Sequence, residues 1–286
     1  MAEYLRKKGV AVRTFSRKAC VQHEGLTTLL EPAILSEFDA IVHFGWGTVP
    51  KDSEEKQGAE WQKDLPFISK LMQASGQLAE KKRPYLIFSS TGAVYGECVN
   101  EPANEATALA PKSYYAAGKV AAEELLHQYS AHGKGKVAIL RISNLYGAQG
   151  VSKVPQGVIA KLAECFHKNT QPTIWGDGTA TKDYLHVDDF CEAVYRVLAE
   201  RLEGVWNLCT GTSHSLLEVL SIYSKHLKWN PDCVFLPHPS WDVEKTNLSS
   251  QKLTTATRWF PKIELEQGIR DYLSTSAGVH RKGERA

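Results

Sequence analysis

What this 286-residue chain lacks narrows its class before any motif is read. No apolar run approaches the roughly 20 residues that a bilayer requires, and the N-terminal MAEYLRKKG has no apolar core of a secretion signal. The expectation is a cytoplasmic protein with no membrane partner. Cys20, Cys98, Cys165, Cys191, Cys209 and Cys233 form no Cys-x-x-Cys pair and no His-rich spacing, which argues against a disulfide framework and leaves no metal site expected. Neither sign of charge dominates: 34 Lys and Arg against 32 Asp and Glu give a formal net charge of +2, so no footprint for nucleic acid stands out. The chain has no internal repeat. What it does have is 43% hydrophobic residues, enough for a full core, and a small molecule is the default partner.

Strand-like runs alternate with helical ones, the pattern of a parallel sheet covered by helices. The strands are expected at 11–15, 40–44, 85–90 and 136–143, with helices near 57–79 and 112–131. The Ala-rich AAGKVAAEELL within the second helix has high intrinsic propensity. Beyond about residue 150 the pattern loosens: GVIAKLAECF and DDFCEAVYRVLAERL read as helices, TIW, YLHV and GVWNLCT as short strands. The expected division is a dinucleotide-binding domain over 1–150 that also receives segments from about 180–210, a mixed substrate-binding lobe over 151–275, and a flexible tail over 276–286.

Chemistry enters at Tyr115 and Lys119, a Tyr-x-x-x-Lys near the start of a helix. Residues four apart share a helix face and can act on one reacting group. A phenol titrates near 10, so a tyrosine accepting a proton near neutrality needs its phenolate stabilised by roughly 4 kcal/mol, at about 1.4 per unit. A solvated Lys–Tyr pair supplies about 1 kcal/mol at most, which calls for a partly desolvated site and a second positive charge. Alone the motif is weak. Upstream, however, YLIF runs into Ser89, Ser90 and Thr91, small hydroxyls at the carboxyl end of a parallel strand, where ligands sit in open α/β sheets. A hydroxyl there can hold a substrate oxygen while the tyrosine moves its proton.

Ser-Ser-Thr-x-x-Val-Tyr-Gly over 89–96, followed by Pro-x-Ser-x-Tyr-x-x-x-Lys over 111–119, resembles the extended short-chain dehydrogenases, and within them the UDP-glucose 4-epimerase-like enzymes. The likeness continues in order through Asp39–Gly47, Leu140–Gly147, the Gly-Asp-Gly of 176–178 and Lys182–Asp189. It implies a Rossmann-like doubly wound α/β fold with a smaller mixed lobe, a cytoplasmic homodimer built on the helices near 57–79 and 112–131, NAD as cofactor and a nucleotide sugar as substrate. Catalysis would fall to Thr91, Tyr115 and Lys119. Ser16, Arg17, Phe44, Gly45, Trp46, Ser89, Ser90 and Ser143, with Tyr115 and Lys119, would hold the cofactor. Asn144, Lys182 and Asp242, with Thr91, would hold the substrate.

Departures from the pattern carry their own implications. The family opens with a strand and Gly-x-x-Gly-x-x-Gly that lets the backbone approach the pyrophosphate. No counterpart is found: Met1–Gly9 reads as the tail of the helix after that loop, so the first strand and glycine-rich loop are expected to be missing by N-terminal truncation. Ser16-Arg17 stands where NAD-specific members carry an acid, so NADP is an alternative. Lys182 replaces an arginine of the family's Arg-Asp-Tyr and Pro239 replaces another three residues before Asp242, which leaves the particular sugar open. Gly92 and Ala93 replace the Asp-Glu pair of dehydratases, which favours epimerisation. The alternatives are an NADPH-dependent nucleotide-sugar reductase and a non-catalytic relative.

Overall fold

Two of the longer helices begin where the sequence supplies caps. In α5 (Tyr114–Ala131) the Ser113 hydroxyl accepts the Ala116 amide at 3.1 Å, and α8 (Leu216–Leu227) opens on a capping box of Ser215 and Glu218, each satisfying amides that a helix start leaves bare. The computed structural model describes residues 1–17, 23–59, 61–98, 102–147 and 157–283; Cys20 and the last three residues of the tail lie outside them. The other helices are α1 (Ala2–Lys7), α2 (Pro32–Leu35), α3 (Pro50–Glu55), α4 (Trp61–Gln77), α6 (Gly157–Lys168), α7 (Val187–Ala199), α9 (Gln251–Thr257) and α10 (Leu265–Gly283). The strands begin with β1 (Phe15–Ser16), β2 (Glu24–Gly25), β3 (Ala40–His43), β4 (Tyr85–Thr91), β5 (Val137–Ile142) and β6 (Asn144–Tyr146). They continue with β7 (Thr173–Trp175), β8 (Thr181–His186), β9 (Gly204–Leu208), β10 (Ser213–Ser215) and β11 (Val234–Leu236).

Two compact units emerge. Unit 1 comprises Met1–Val94, Ala108–Arg141 and Ala193–Trp206; unit 2 comprises Tyr95–Thr107, Ile142–Glu192 and Asn207–Ala286. The first unit's long central stretch ends at Arg141, and it takes in Ala193–Trp206. The four-stranded sheet has the order β3-β4-β5-β9, with β3 and β4 parallel in the register Ala40↔Tyr85 to His43↔Phe88. β4 and β5 are buried along nearly their whole length, as strands covered on both faces must be. Ile68, Leu71, Leu86, Phe88, Leu126 and Ile139 anchor the core between sheet and helices.

The run 11–15 departs from expectation. Only Phe15 and Ser16 are strand, paired in parallel with Glu24 and Gly25 in a separate two-stranded sheet. A strand is made by its ladder partner as much as by its side chains, and residues 11–14 belong to no strand.

In unit 2, β6 and β8 pair in parallel and β10 joins β8 antiparallel, while β7 and β11 form a second parallel pair. Its core gathers Ile159, Leu162, Tyr184, Val219, Tyr223 and Ile269. Tail residues 276–283, expected to lack order, continue α10, whose earlier turns bury Ile269 and Leu273. Extending a helix already nucleated by packing costs little.

Candidate active site

β4 and α5 carry the centre of unit 1. Tyr115 and Lys119 stand one turn apart on α5, and the Lys119 side chain runs to the carboxyl end of β4, where its ammonium donates to the Ser89 carbonyl at 2.6 Å. Lys119 is 1% exposed. Three aromatic rings surround the ammonium: Trp46 with its centroid at 4.2 Å, Phe88 at 4.8 Å and Tyr115 at 5.7 Å. Burial pulls its pKa down to about 7, against the attraction of Asp64 and then Glu123. The lysine thus titrates far below a free amine, in surroundings where a charge on a neighbouring phenol counts for several times its worth in water.

The three hydroxyls of the β4 segment have separate tasks. Ser89 donates to the His43 carbonyl at 3.3 Å, and Ser90 donates to the Glu123 carboxylate. Thr91 accepts the Ala93 amide at 3.2 Å. Glu123, one turn beyond Lys119, is gripped by Arg141 of β5 through Nε at 3.2 Å and Nη2 at 2.6 Å. This buried ion pair ties β4, α5 and β5 together. In the sequence Arg141 stands only within the Leu140–Gly147 motif with no role given, and Glu123 is not singled out, although the spacing of four from Lys119 to Glu123 puts both on one helix face.

The turn after β3 brings Phe44, Gly45 and Trp46 to the same end of the sheet. Arg17 reaches the Trp46 carbonyl with Nη2 at 3.3 Å, and Ser16 is half-buried in the β1–β2 pair. Asp64 of α4 accepts the Gly47 amide at 2.7 Å. His43, sandwiched by Phe67 at 5.5 Å and Phe88 at 6.1 Å, is neutral at pH 7, its pKa lowered to about 4 by burial and by Lys119. Gly118 has a steric reason: a Cβ there would run into the indole of Trp61 and approach Trp46 to 3.2 Å.

In unit 2, Lys182 and Asp242, 60 residues apart, meet at 3.0 Å, and Lys182 also donates to the Val243 carbonyl. His238 stands 3.4 Å from the same Asp242 carboxylate. Asn144 is exposed and donates to the Asp183 carbonyl at 3.2 Å; the Ser143 amide donates to Leu208 at 3.0 Å. The Asp183 carboxylate, fully buried, is pushed up by burial and held by the Thr210 and Gly211 amides and the Thr210 hydroxyl. Gly147, at φ +95°, leaves no room for a Cβ against the His186 ring.

A buried lysine of lowered pKa thus stands beside a tyrosine at the carboxyl end of a parallel strand. The profile of the NAD dependent epimerase/dehydratase family matches residues 1–209. The chain belongs to that family. It is 29% identical over 256 residues to UDP-glucose 4-epimerase 4 of Oryza sativa subsp. japonica, covering 82% of this chain and 69% of that one. It is 32% identical over 182 residues to a putative UDP-glucose 4-epimerase of Methanocaldococcus jannaschii, covering 64% of this chain and 59% of that one. Among solved structures it resembles the Thermus thermophilus UDP-glucose 4-epimerase in complex with NAD, with TM-score 0.84, 28% identity and coverage of 95% and 93%. Its Rossmann-type fold is that of the NAD-dependent epimerase/dehydratase family, as the doubly wound pattern of the sequence implied. Among the described residues, no helix is long and apolar enough to cross a membrane.

Proposed function

We propose that this member of the family is a nucleotide-sugar epimerase of the UDP-glucose 4-epimerase type, acting by transient oxidation at a sugar carbon. The observation that carries the reading is the Tyr115–Lys119 pair, with its ammonium dry, ringed by aromatic faces and poised near pH 7. The residues present fit a nicotinamide dinucleotide: Trp46 Nε1 and Thr48 Oγ1 are buried without hydrogen-bond partners at the carboxyl end of β3, beside the Arg17 guanidinium. Such atoms are costly unless a ligand satisfies them. NAD, when bound, supplies the hydride acceptor and donor. Arg17, whose guanidinium reaches the Trp46 carbonyl, would suit a 2′-phosphate, which makes NADP the alternative nucleotide.

Tyr115 takes the proton from the sugar hydroxyl, because the Lys119 ammonium stabilises the phenolate. Thr91 orients the same oxygen. In unit 2 the Lys182–Asp242 pair and Asn144 are assigned to the nucleotide sugar. Lys182 binds phosphate as a point charge rather than as the bidentate fork an arginine offers. We further infer a homodimer through α4 and α5; light scattering that gives a concentration-independent monomer would exclude it.

The test is interconversion of UDP-glucose and UDP-galactose by the purified chain with NAD. Tyr115→Phe should lower turnover by about three orders of magnitude with an unchanged circular dichroism spectrum, since general acid–base transfer contributes about 10²–10⁴. Near-normal turnover in that variant refutes the assignment.

A further inference from the structure

The lysine at the centre of unit 1 has a counter-ion and a cover that no motif pointed to. Asp64 lies in the first turn of α4, is 8% exposed, and acts on the Lys119 charge more strongly than Glu123 does. The same carboxylate accepts the Gly47 amide at 2.7 Å and so fixes the turn that follows β3. That turn presents the Trp46 indole face to the ammonium at 4.2 Å. A Cβ at Gly118 would run into the Trp61 indole and stand 3.2 Å from the Trp46 ring, so its absence leaves room for both on α5. A carboxylate and a ring face are both attractive to an ammonium, and the ring also excludes water from it.

We propose that Asp64 and Trp46 are positioning residues for Lys119: the Asp64 carboxylate supplies its counter-charge and, through the Gly47 amide, holds the Trp46 indole as a cover over the ammonium. The groups facing that ammonium are Asp64 from α4, Glu123 and Tyr115 from α5, the Ser89 carbonyl from β4 and His43 from β3. Glu123 is already engaged by Arg141 of β5, and His43 is neutral near pH 7. Asp64 is the stronger of the two carboxylate attractions that offset the loss of hydration. The two residues pull the lysine's titration in opposite directions: Asp64 keeps the proton on, and the cover of Trp46, by excluding water, takes it off. This deepens the proposed function and rests on it for its catalytic consequence, yet the titration of Lys119 is a property of the chain without substrate.

The experiment is a pH titration of the protein labelled at lysine with ¹³Cε, read by NMR, with the Lys119 signal assigned by its loss in Lys119→Arg. In the unaltered protein the midpoint is expected at about 7. Asp64→Asn should lower it by one unit or more, and Trp46→Ala should raise it by one unit or more, towards about 10.4; Trp46→Phe, which keeps a ring face, should fall between. Local loosening alone would admit water and raise the midpoint in both variants, so an upward shift in Asp64→Asn, or no shift in either, overturns the proposal. Should Asp64→Asn not fold, the Trp46→Ala midpoint decides alone. Opposite shifts together with no epimerisation by the unaltered protein would leave this inference standing and remove the proposed function; epimerisation without the shifts would do the reverse.

Discussion

Replacing Glu123 by leucine takes away the carboxylate that the Arg141 guanidinium grips inside unit 1. The pair is 2% and 5% exposed at its side chains, so water cannot take the place of the lost carboxylate. Arg141 would lose its bonds from Nε and Nη2, and the Ser90 hydroxyl would lose its acceptor. Hydrogen bonds to charged groups contribute about 1.5–3 kcal/mol each, and removing one partner of a buried ion pair costs about 3–5 kcal/mol. Both routes converge on about 4 kcal/mol, a large share of the roughly 5–15 kcal/mol by which a domain is stable. With a urea slope of about 2 kcal/mol per molar, the unfolding midpoint should fall by about 2 M. Glu123→Leu combined with Arg141→Met should recover most of that loss, because no unpaired charge remains. Urea titration followed by circular dichroism measures both variants. A loss below about 1 kcal/mol in the single variant, or a double variant no better than the single one, would refute the reasoning that an uncompensated charge sets the cost.

Three further outcomes follow from other sites. His43 has a folded pKa of about 4 against the ordinary 6.5, so below pH 6.5 the unfolded chain binds a proton that the folded chain refuses; stability should fall by about 3 kcal/mol between pH 6.5 and 4 from this group, and His43→Phe, stacked on the same Phe67 and Phe88, should flatten that part of the profile in acid titrations of the denaturation midpoint. Gly147→Ala places a Cβ against His186 at a backbone angle of φ +95° and should cost roughly 1–3 kcal/mol in thermal unfolding; a change within about 0.5 kcal/mol, the ordinary range for a neutral substitution, would show that the turn relaxes freely. Lys182→Ala should weaken nucleotide-sugar binding at least about tenfold by calorimetric titration, since it deletes the phosphate's point charge and leaves the Asp242 carboxylate it pairs with at 3.0 Å unbalanced; unchanged affinity would remove Lys182 from the substrate site.

The sequence alone determined whatever rests on neighbours close along the chain. YLIFSS over 85–90 reads as a strand and lies in β4; AAGKVAAEELL reads as part of a helix near 112–131 and lies in α5, whose cap at Ser113 only the structure shows. Tyr115 and Lys119 share a face because they are four apart on that helix, and the ordered motifs named the family before any coordinate did. Tertiary structure decided what depends on distant segments. Residues 11–14 lie in a run that reads as a strand but belong to none, while 276–283 looked featureless and yet extend a helix whose packing lies upstream. Asp64 and Lys119 are 55 positions apart and Lys182 and Asp242 are 60, so no local pattern joins them. Above all, the pKa of Lys119 was invisible in sequence. It is set by burial among Trp46, Phe88 and Tyr115 and by the carboxylates that offset it, and desolvation arises from the packed whole rather than from any motif.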